Sequence, residues 1–234
     1  MLQTSLASDY CAKFGRHLLQ HQCELTPEAI EGPYYLPLDL VRKDIREDRQ
    51  GVPLTLKILL TNARTCEPLV NVSFDIWHCD ALGVYSSYVN AIPNSDYHEP
   101  RTDNTTFLRG RQYTNQNGII RFKTIYPGWY GGRATHIHMQ SHYGDRTIHT
   151  GQLYFHDTIN NIMARLLPYN MSDMPRMKNE EDSEFMENKG ADTIINYIKP
   201  VDIKRIHKGL KGTIHIGLNP KAKSTFAYYG RTSK

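Results

Sequence analysis

Apolar residues in this chain follow two different periods. Between residues 5 and 21, Leu6, Tyr10, Phe14 and Leu18 recur every fourth position, the spacing that lines one face of a helix. This predicts a short N-terminal helical arm over residues 1–22. "LTPEAIEGPYYLP" then breaks the pattern with Pro and Gly and reads as an ordered loop. From residue 52 the period becomes two. "VPLTLKILLT", "VSFDIWHCD", "GIIRFKTIY", "THIHMQSHY", "TGQLYFHD" and "GTIHIGLN" are short runs of strand composition. "NARTCEP" at 62–68, "NQNG" at 115–118 and "PGWYGG" at 127–132 are the turns between them. Short strands spaced by turns point to an all-β domain over residues 23–234, an antiparallel β-sandwich or a barrel. Residues 54–61 and 71–79 are placed to form a hairpin. Residues 83–110 make a long connection, and long connections in compact domains usually carry function. Residues 158–199 are more polar and read as a surface segment with some helix.

Composition narrows the function classes. At 39% hydrophobic and 22% charged, the 234 residues are enough for one domain with a real core. The net charge of +4 comes with no basic stripe or recognition motif, which argues against nucleic-acid binding. No apolar run nears the ~20 residues needed to span a bilayer. The opening "MLQTSLASDYCAKFG" has no signal-peptide apolar region, which leaves secretion open.

The four cysteines, Cys11, Cys23, Cys66 and Cys79, show no C-x-x-C spacing. A helix over 5–21 separates Cys11 from Cys23, and a 54–61/71–79 hairpin separates Cys66, in its turn, from Cys79 at its far end. Elimination favours Cys23–Cys66, with four free thiols as the alternative. Sequons at Asn71, Asn104 and Asn170 add slight support for secretion.

The chemistry concentrates in "PGWYGGRATHIHMQ", residues 127–140. In a strand, His136 and His138 point to the same face. Tyr130 and Arg133 lie just upstream, around a glycine pair that can turn the chain sharply. Alone, the segment is a metal-ligand pair or an ordinary half-polar strand.

Four elements occur in one order: "EGPYY" (31–35), "DIWHCDALGVYSSY" (75–88), "FLRGRQYTNQNGIIRFKTIYPGWYGGRATHIH" (107–138) and "GQLYF" (151–155). Together they resemble the intradiol ring-cleavage dioxygenase family over roughly residues 24–160. The compact chain is more similar to the secreted, single-chain branch than to the multi-subunit protocatechuate enzymes. Its short N-terminal region lacks the length of a family-style helical dimerisation arm, so a monomer is expected.

The resemblance implies one non-haem Fe(III) per chain, held by Tyr85, Tyr130, His136 and His138. Ferric iron is a hard cation and suits oxygen donors. A free phenol ionises only near pH ~10, but a bound cation stabilises the anion. The implied reaction inserts O2 into a catechol between its hydroxylated carbons and gives a cis,cis-muconate-type diacid, without NADH or flavin. Tyr130 would leave the metal and take a catechol proton. Arg133 would stand beside the substrate, its charge stabilising carbanionic character on the ring. Gln152 matches a pocket glutamine, and Pro33 with Tyr34 or Tyr35 would line the pocket. The bland readings are a surface arginine, a half-buried strand amide, and a rigid turn with core aromatics.

His78 reads as a hydrogen-bonded structural histidine. His142, His149 and His156 fall outside an already complete ligand set. Trp77 and Trp129 read as packing residues, and Asp75 and Asp80 lack the surrounding carboxylates of a calcium loop. Gly131 and Gly132 stand where protocatechuate enzymes carry a bulky aromatic, which suggests a wide pocket and broad catechol tolerance. Two other functions remain: a sandwich that binds a phenolic ligand or sugar without catalysis, and a zinc hydrolase built on "HIH". The second lacks a well-placed third ligand and base.

Overall fold

The computed structural model describes residues 24–89 and 100–228. The expected arm and its helix, and Cys11 and Cys23, lie outside the described residues. The elements in chain order are β1 (Pro53–Asn62), β2 (Ser73–Trp77), β3 (Arg109–Tyr113), β4 (Ile119–Ile125), β5 (His136–Tyr143), β6 (Arg146–Tyr154), helix α1 (Asp157–Met163), helix α2 (Ser183–Glu187), β7 (Tyr197–Pro200) and β8 (Leu210–Leu218), with short 3₁₀ turns between α1 and β8.

The strands form two four-stranded sheets, ordered β4-β1-β8-β7 and β3-β2-β5-β6. Alternation along β1 buries Leu54, Leu56, Ile58 and Leu60, each at 1% exposure or less. They join Phe74 and Ile76 of β2 and Ile137 and Met139 of β5 in one apolar cluster. Each such aliphatic side chain contributes about 1.5–3 kcal/mol over its exposed state. The two sheets thus share a core, and chain parity decides which side chains remain for other work.

Three expectations need correction. The strands are not all antiparallel, because β1 pairs with β8 in parallel along its length. About 150 residues separate those strands, ample for the crossover that a parallel pair requires. The 54–61/71–79 hairpin does not form: β1 pairs with β4, and β2 lies in the other sheet. After the turn at 62–68 the chain makes one bridge back, Thr61 to Pro68, and then crosses over. Nor is 158–199 only a surface segment, since Met163, Tyr169, Asp182 and Phe185 are buried.

Cys66 is disulfide-bonded, which excludes four free thiols, and Cys79 is a buried free thiol. The expected partner Cys23 falls outside the described residues. Asn71, Asn104 and Asn170 are all exposed.

Candidate active site

Strand register builds the site. In β5, Ile137 and Met139 point into the shared core, so His136 and His138 must point to the opposite face. On that face His138 pairs with Gln152 of β6 and with Trp77 of β2, and Trp77 pairs with Arg109 of β3. Two positions along the ladder, on the same face, His136 stands opposite Tyr154. A sheet whose inner face is apolar therefore carries a row of polar and aromatic side chains outside. The loops at 31–36 and 78–88 cover this face with Tyr34, Tyr35, Tyr85 and Tyr88.

The imidazoles converge. His136 Nε2 lies 3.0 Å from His138 Nε2. His136 Nδ1 lies 2.7 Å from the Ala134 carbonyl oxygen, which fixes the ring proton there and leaves Nε2 as a lone pair. His138 stacks flat on Trp77, with ring centroids 5.0 Å apart and planes 9° apart. Gly32 packs close to the same ring, where a Cβ would lie 3.0 Å from His138 Cε1.

Two phenols complete the convergence. Tyr130 Oη is 3.3 Å and Tyr85 Oη 3.5 Å from His136 Nε2. Neither sits on a strand, so turns must place them. Asp80 Oδ1 accepts from the backbone N–H of Leu82 and Val84. Gly83 takes φ +89°, and a Cβ there would lie 2.4 Å from the Trp129 carbonyl oxygen. The loops bearing Tyr85 and Tyr130 are thereby pressed backbone to backbone. Beyond Tyr85, Ser87 is held at φ 66° by hydrogen bonds to both the side chain and the carbonyl of Thr105. The Arg133 N–H closes a turn onto the Tyr130 carbonyl, with Gly132 at φ 82° inside it.

Arg133 is fixed on three sides. Its Nε donates to both oxygens of Asp182 at 3.1 Å. Its Nη2 donates to Gln152 Oε1 at 2.5 Å and to Tyr154 Oη at 3.2 Å. Gln152 in turn donates from Nε2 to the Ile30 carbonyl, next to the "EGPYY" loop. Pro33 is half-buried in that loop, and Tyr34 packs 4.7 Å from the Tyr85 ring and 4.8 Å from Tyr88. The structure brings together Tyr85, Tyr130, His136 and His138, joins Arg133 to Gln152, and sets Tyr34 beside Tyr85.

Burial sets the protonation states of these side chains. It pushes the Tyr85 phenol well above its usual range, reinforced by Tyr130. It pushes Tyr130 up to about 12, opposed by the Arg133 charge. Both imidazoles are driven well below the usual histidine range, by burial and by nearby cationic and imidazole groups. Burial also works against the Arg133 charge, but Tyr130, Tyr154 and Asp182 outweigh it and hold the guanidinium protonated. Two neutral imidazoles and two phenols facing one point make a ready donor set. A hard cation would favour both phenolates and occupy the Nε2 lone pairs. Among the described residues no group of three or more His, Cys, Asp or Glu could hold a metal ion; here half of the donors are tyrosines.

A family model described as "Dioxygenase" matches residues 30–166 of the chain. A solved structure titled as an intradiol ring-cleavage dioxygenase from Tetranychus urticae is 36% identical. It superposes with a TM-score of 0.80 and covers 87% of this chain and 98% of its own. The chain belongs to the intradiol ring-cleavage dioxygenase family. The dioxygenase domain of a dioxygenase–carbohydrate-binding fusion from Streptomyces sp. SirexAA-E is 27% identical, with a TM-score of 0.60 over 86% of this chain and all of its own. Catechol 1,2-dioxygenase of Acinetobacter baylyi is 31% identical over 112 residues, 45% of this chain and 32% of the relative. The chain thus matches about a third of the length of that curated relative.

In this member of the family the structural histidine expectation holds. His78 is buried between the Cys79 carbonyl and Thr124 Oγ1, each at 2.7 Å, and burial lowers its pKa to about 4. Asp75 serves Arg111, Tyr35 and His142. Trp129 donates to the Met174 carbonyl and packs in the core.

Two residues escaped the sequence reading. Arg109 is 4% exposed and donates to Tyr34 O, Ser86 Oγ and Ser86 O, joining the two loops that bear Tyr34 and Tyr85. Asp182 is fully buried against Arg133. Its only local signal in "NEEDSEF" is that of a helix N-cap.

Proposed function

We propose that this protein cleaves catechols with O2 between the two hydroxylated carbons, using one Fe(III) held by Tyr85, Tyr130, His136 and His138. The observation that carries the reading is the convergence of these four buried side chains, with the His136–His138 nitrogens 3.0 Å apart and both phenol oxygens within 3.5 Å of His136. Bound there, the ion would chelate a catecholate and activate it toward O2.

The chain's own residues supply the rest. Tyr130 would accept a catechol proton as its phenolate, and burial favours the neutral phenol that results. Arg133 offers fixed positive charge where a ring carbon gains electron density, a role worth about 2.7–4 kcal/mol for comparable donors. Gln152 and Tyr154 hold that guanidinium. Tyr34 and Pro33 form a wall of the substrate pocket. The product is a cis,cis-muconate-type diacid. Gly131 and Gly132 leave room for substituted catechols. We read the two sheets as layers of a β-sandwich forming one domain, acting as a secreted monomer. The disulfide at Cys66 supports an oxidising compartment.

The test is the visible spectrum of the iron-loaded protein, before and after anaerobic catechol. A tyrosinate–Fe(III) charge-transfer band that shifts with catechol is expected. A protein colourless after iron loading overturns the reading in favour of a non-catalytic phenolic-binding fold. Turnover of catechol with refusal of every bulkier catechol overturns the broad specificity alone.

A further inference from the structure

Asp182 does two jobs that can be separated. Its side chain accepts from the Glu184 N–H at 2.9 Å, the cap of helix α2. Asparagine or serine would cap equally well. A cap therefore does not explain why a carboxylate is buried to 0% exposure, since burying an ion is costly without a charged partner. The partner is Arg133. Both carboxylate oxygens lie 3.1 Å from its Nε, and Oδ2 also accepts from the Ala134 N–H at 2.9 Å. One carboxylate thus grips the guanidinium and the backbone two residues before His136. It does so from a segment 49 positions downstream of Arg133, beyond the end of the family match at residue 166.

We propose that Asp182 is a positioning residue that acts through Arg133: it holds the guanidinium at the substrate position and balances its charge. The proposal rests on the ring-cleavage reading for the role of Arg133 but not for the contact itself. Without Asp182, Arg133 keeps, among the described residues, only Gln152 and Tyr154 as side-chain partners, both on Nη2. The planar group can then swing about that one nitrogen. A displacement of about 1 Å at a catalytic group can cost about a hundredfold in rate.

The test is a pair of double-mutant cycles with D182N, which keeps the cap and loses the charge, and R133A. In the iron-loaded protein, D182N should lower kcat for catechol about ten- to a hundredfold, with KM changed less. In the R133A background the same substitution should change kcat by less than about threefold. In the metal-free protein, urea unfolding should give a coupling of at least about tenfold in the folding equilibrium constant. Additive effects in both cycles, or D182N with wild-type kcat, overturn the proposal. If D182N does not fold, D182E keeps the charge on a longer arm and should show the kcat loss; wild-type kcat in D182E also overturns it. If the wild type cleaves no catechol, the functional reading falls, and the metal-free cycle still decides whether Asp182 acts on Arg133.

Discussion

The site has a half built on strands and a half built on loops, held by different forces. His136, His138, Gln152 and Tyr154 are placed by the β5–β6 ladder, and their direction follows from Ile137 and Met139 facing the core. Tyr85, Tyr130 and Arg133 are placed by turns, by positive-φ residues and by side-chain hydrogen bonds to Asp80, Thr105 and Asp182. The strand half is over-determined, because a slip of one residue would turn the core outward. The loop half depends on a few contacts, any of which can be removed without disturbing the sheets.

The largest effect should come from breaking the strand half at its proposed metal ligands. H138A removes one converging nitrogen while Ile137 and Met139 keep the ladder intact. Iron binding and kcat/KM should fall by at least about a hundredfold, the upper range for losing even an indirect partner of a metal ligand. Unfolding in urea should change little for the metal-free protein. A large loss of metal-free stability would mean that the imidazole is a structural part of the sheet.

The loop half should fail differently. R109M removes three buried donors, with their hydrogen bonds to the Tyr34 carbonyl and to both Ser86 oxygens. The expected cost is about 2–5 kcal/mol in unfolding free energy, with activity falling through misplacement of Tyr34 and Tyr85. Arg109 and Arg133 sharpen the contrast. Arg133 faces a carboxylate and keeps its charge easily. Among the described residues Arg109 donates only to neutral acceptors, and burial lowers its pKa to about 10. If R109M unfolds like the wild type, the loops are held by their aromatic packing.

The same division explains what could be read from the sequence. Alternation in "VPLTLKILLT" and "THIHMQ" announces β1 and β5, because a half-buried strand leaves that signature. The pairing of β1 with β8 leaves none, since parallel register links residues about 150 positions apart. β3 was hidden by charge: "RGRQY" carries Arg109, buried under the loop that bears Tyr34, and Arg111, part-buried by its ion pair with Asp75 of β2. Tyr85 and Tyr130 were legible only through whole motifs in family order. Asp182 was not legible, because nothing in a run of acids marks the one that will be buried.

A smaller effect should follow from G83A. The residue sits at φ +89°, and a Cβ would lie 2.4 Å from the Trp129 carbonyl. The backbone must move, at a cost of about 2–4 kcal/mol from strain and overlap together. Because Trp129 precedes Tyr130, both tyrosine loops shift. The expected signature is a displaced charge-transfer band along with the stability loss. A stability loss with an unmoved band would show that the loop contact does not set Tyr130.

The smallest effect concerns pH, and it lies outside both halves. His78 is buried neutral, its pKa lowered by burial from 6.5 to about 4. The unfolded chain therefore binds a proton more readily than the folded one between those values. Unfolding free energy then rises with pH across the window. The stability contributed by the neutral ring is fully present above about pH 6.5 and is lost as pH falls toward 4. One such group gives a slope of at most about 1.4 kcal/mol per pH unit. H78Q can keep hydrogen bonds to the Cys79 carbonyl and Thr124 but cannot titrate. It should be close to wild type at pH 7.5 and lose less stability between pH 6.5 and 4.5. His149 is held neutral in the same range by burial, so part of the slope should survive. An unchanged slope in H78Q would assign the acid sensitivity to His149 and to the carboxylates, and leave His78 with a packing role only.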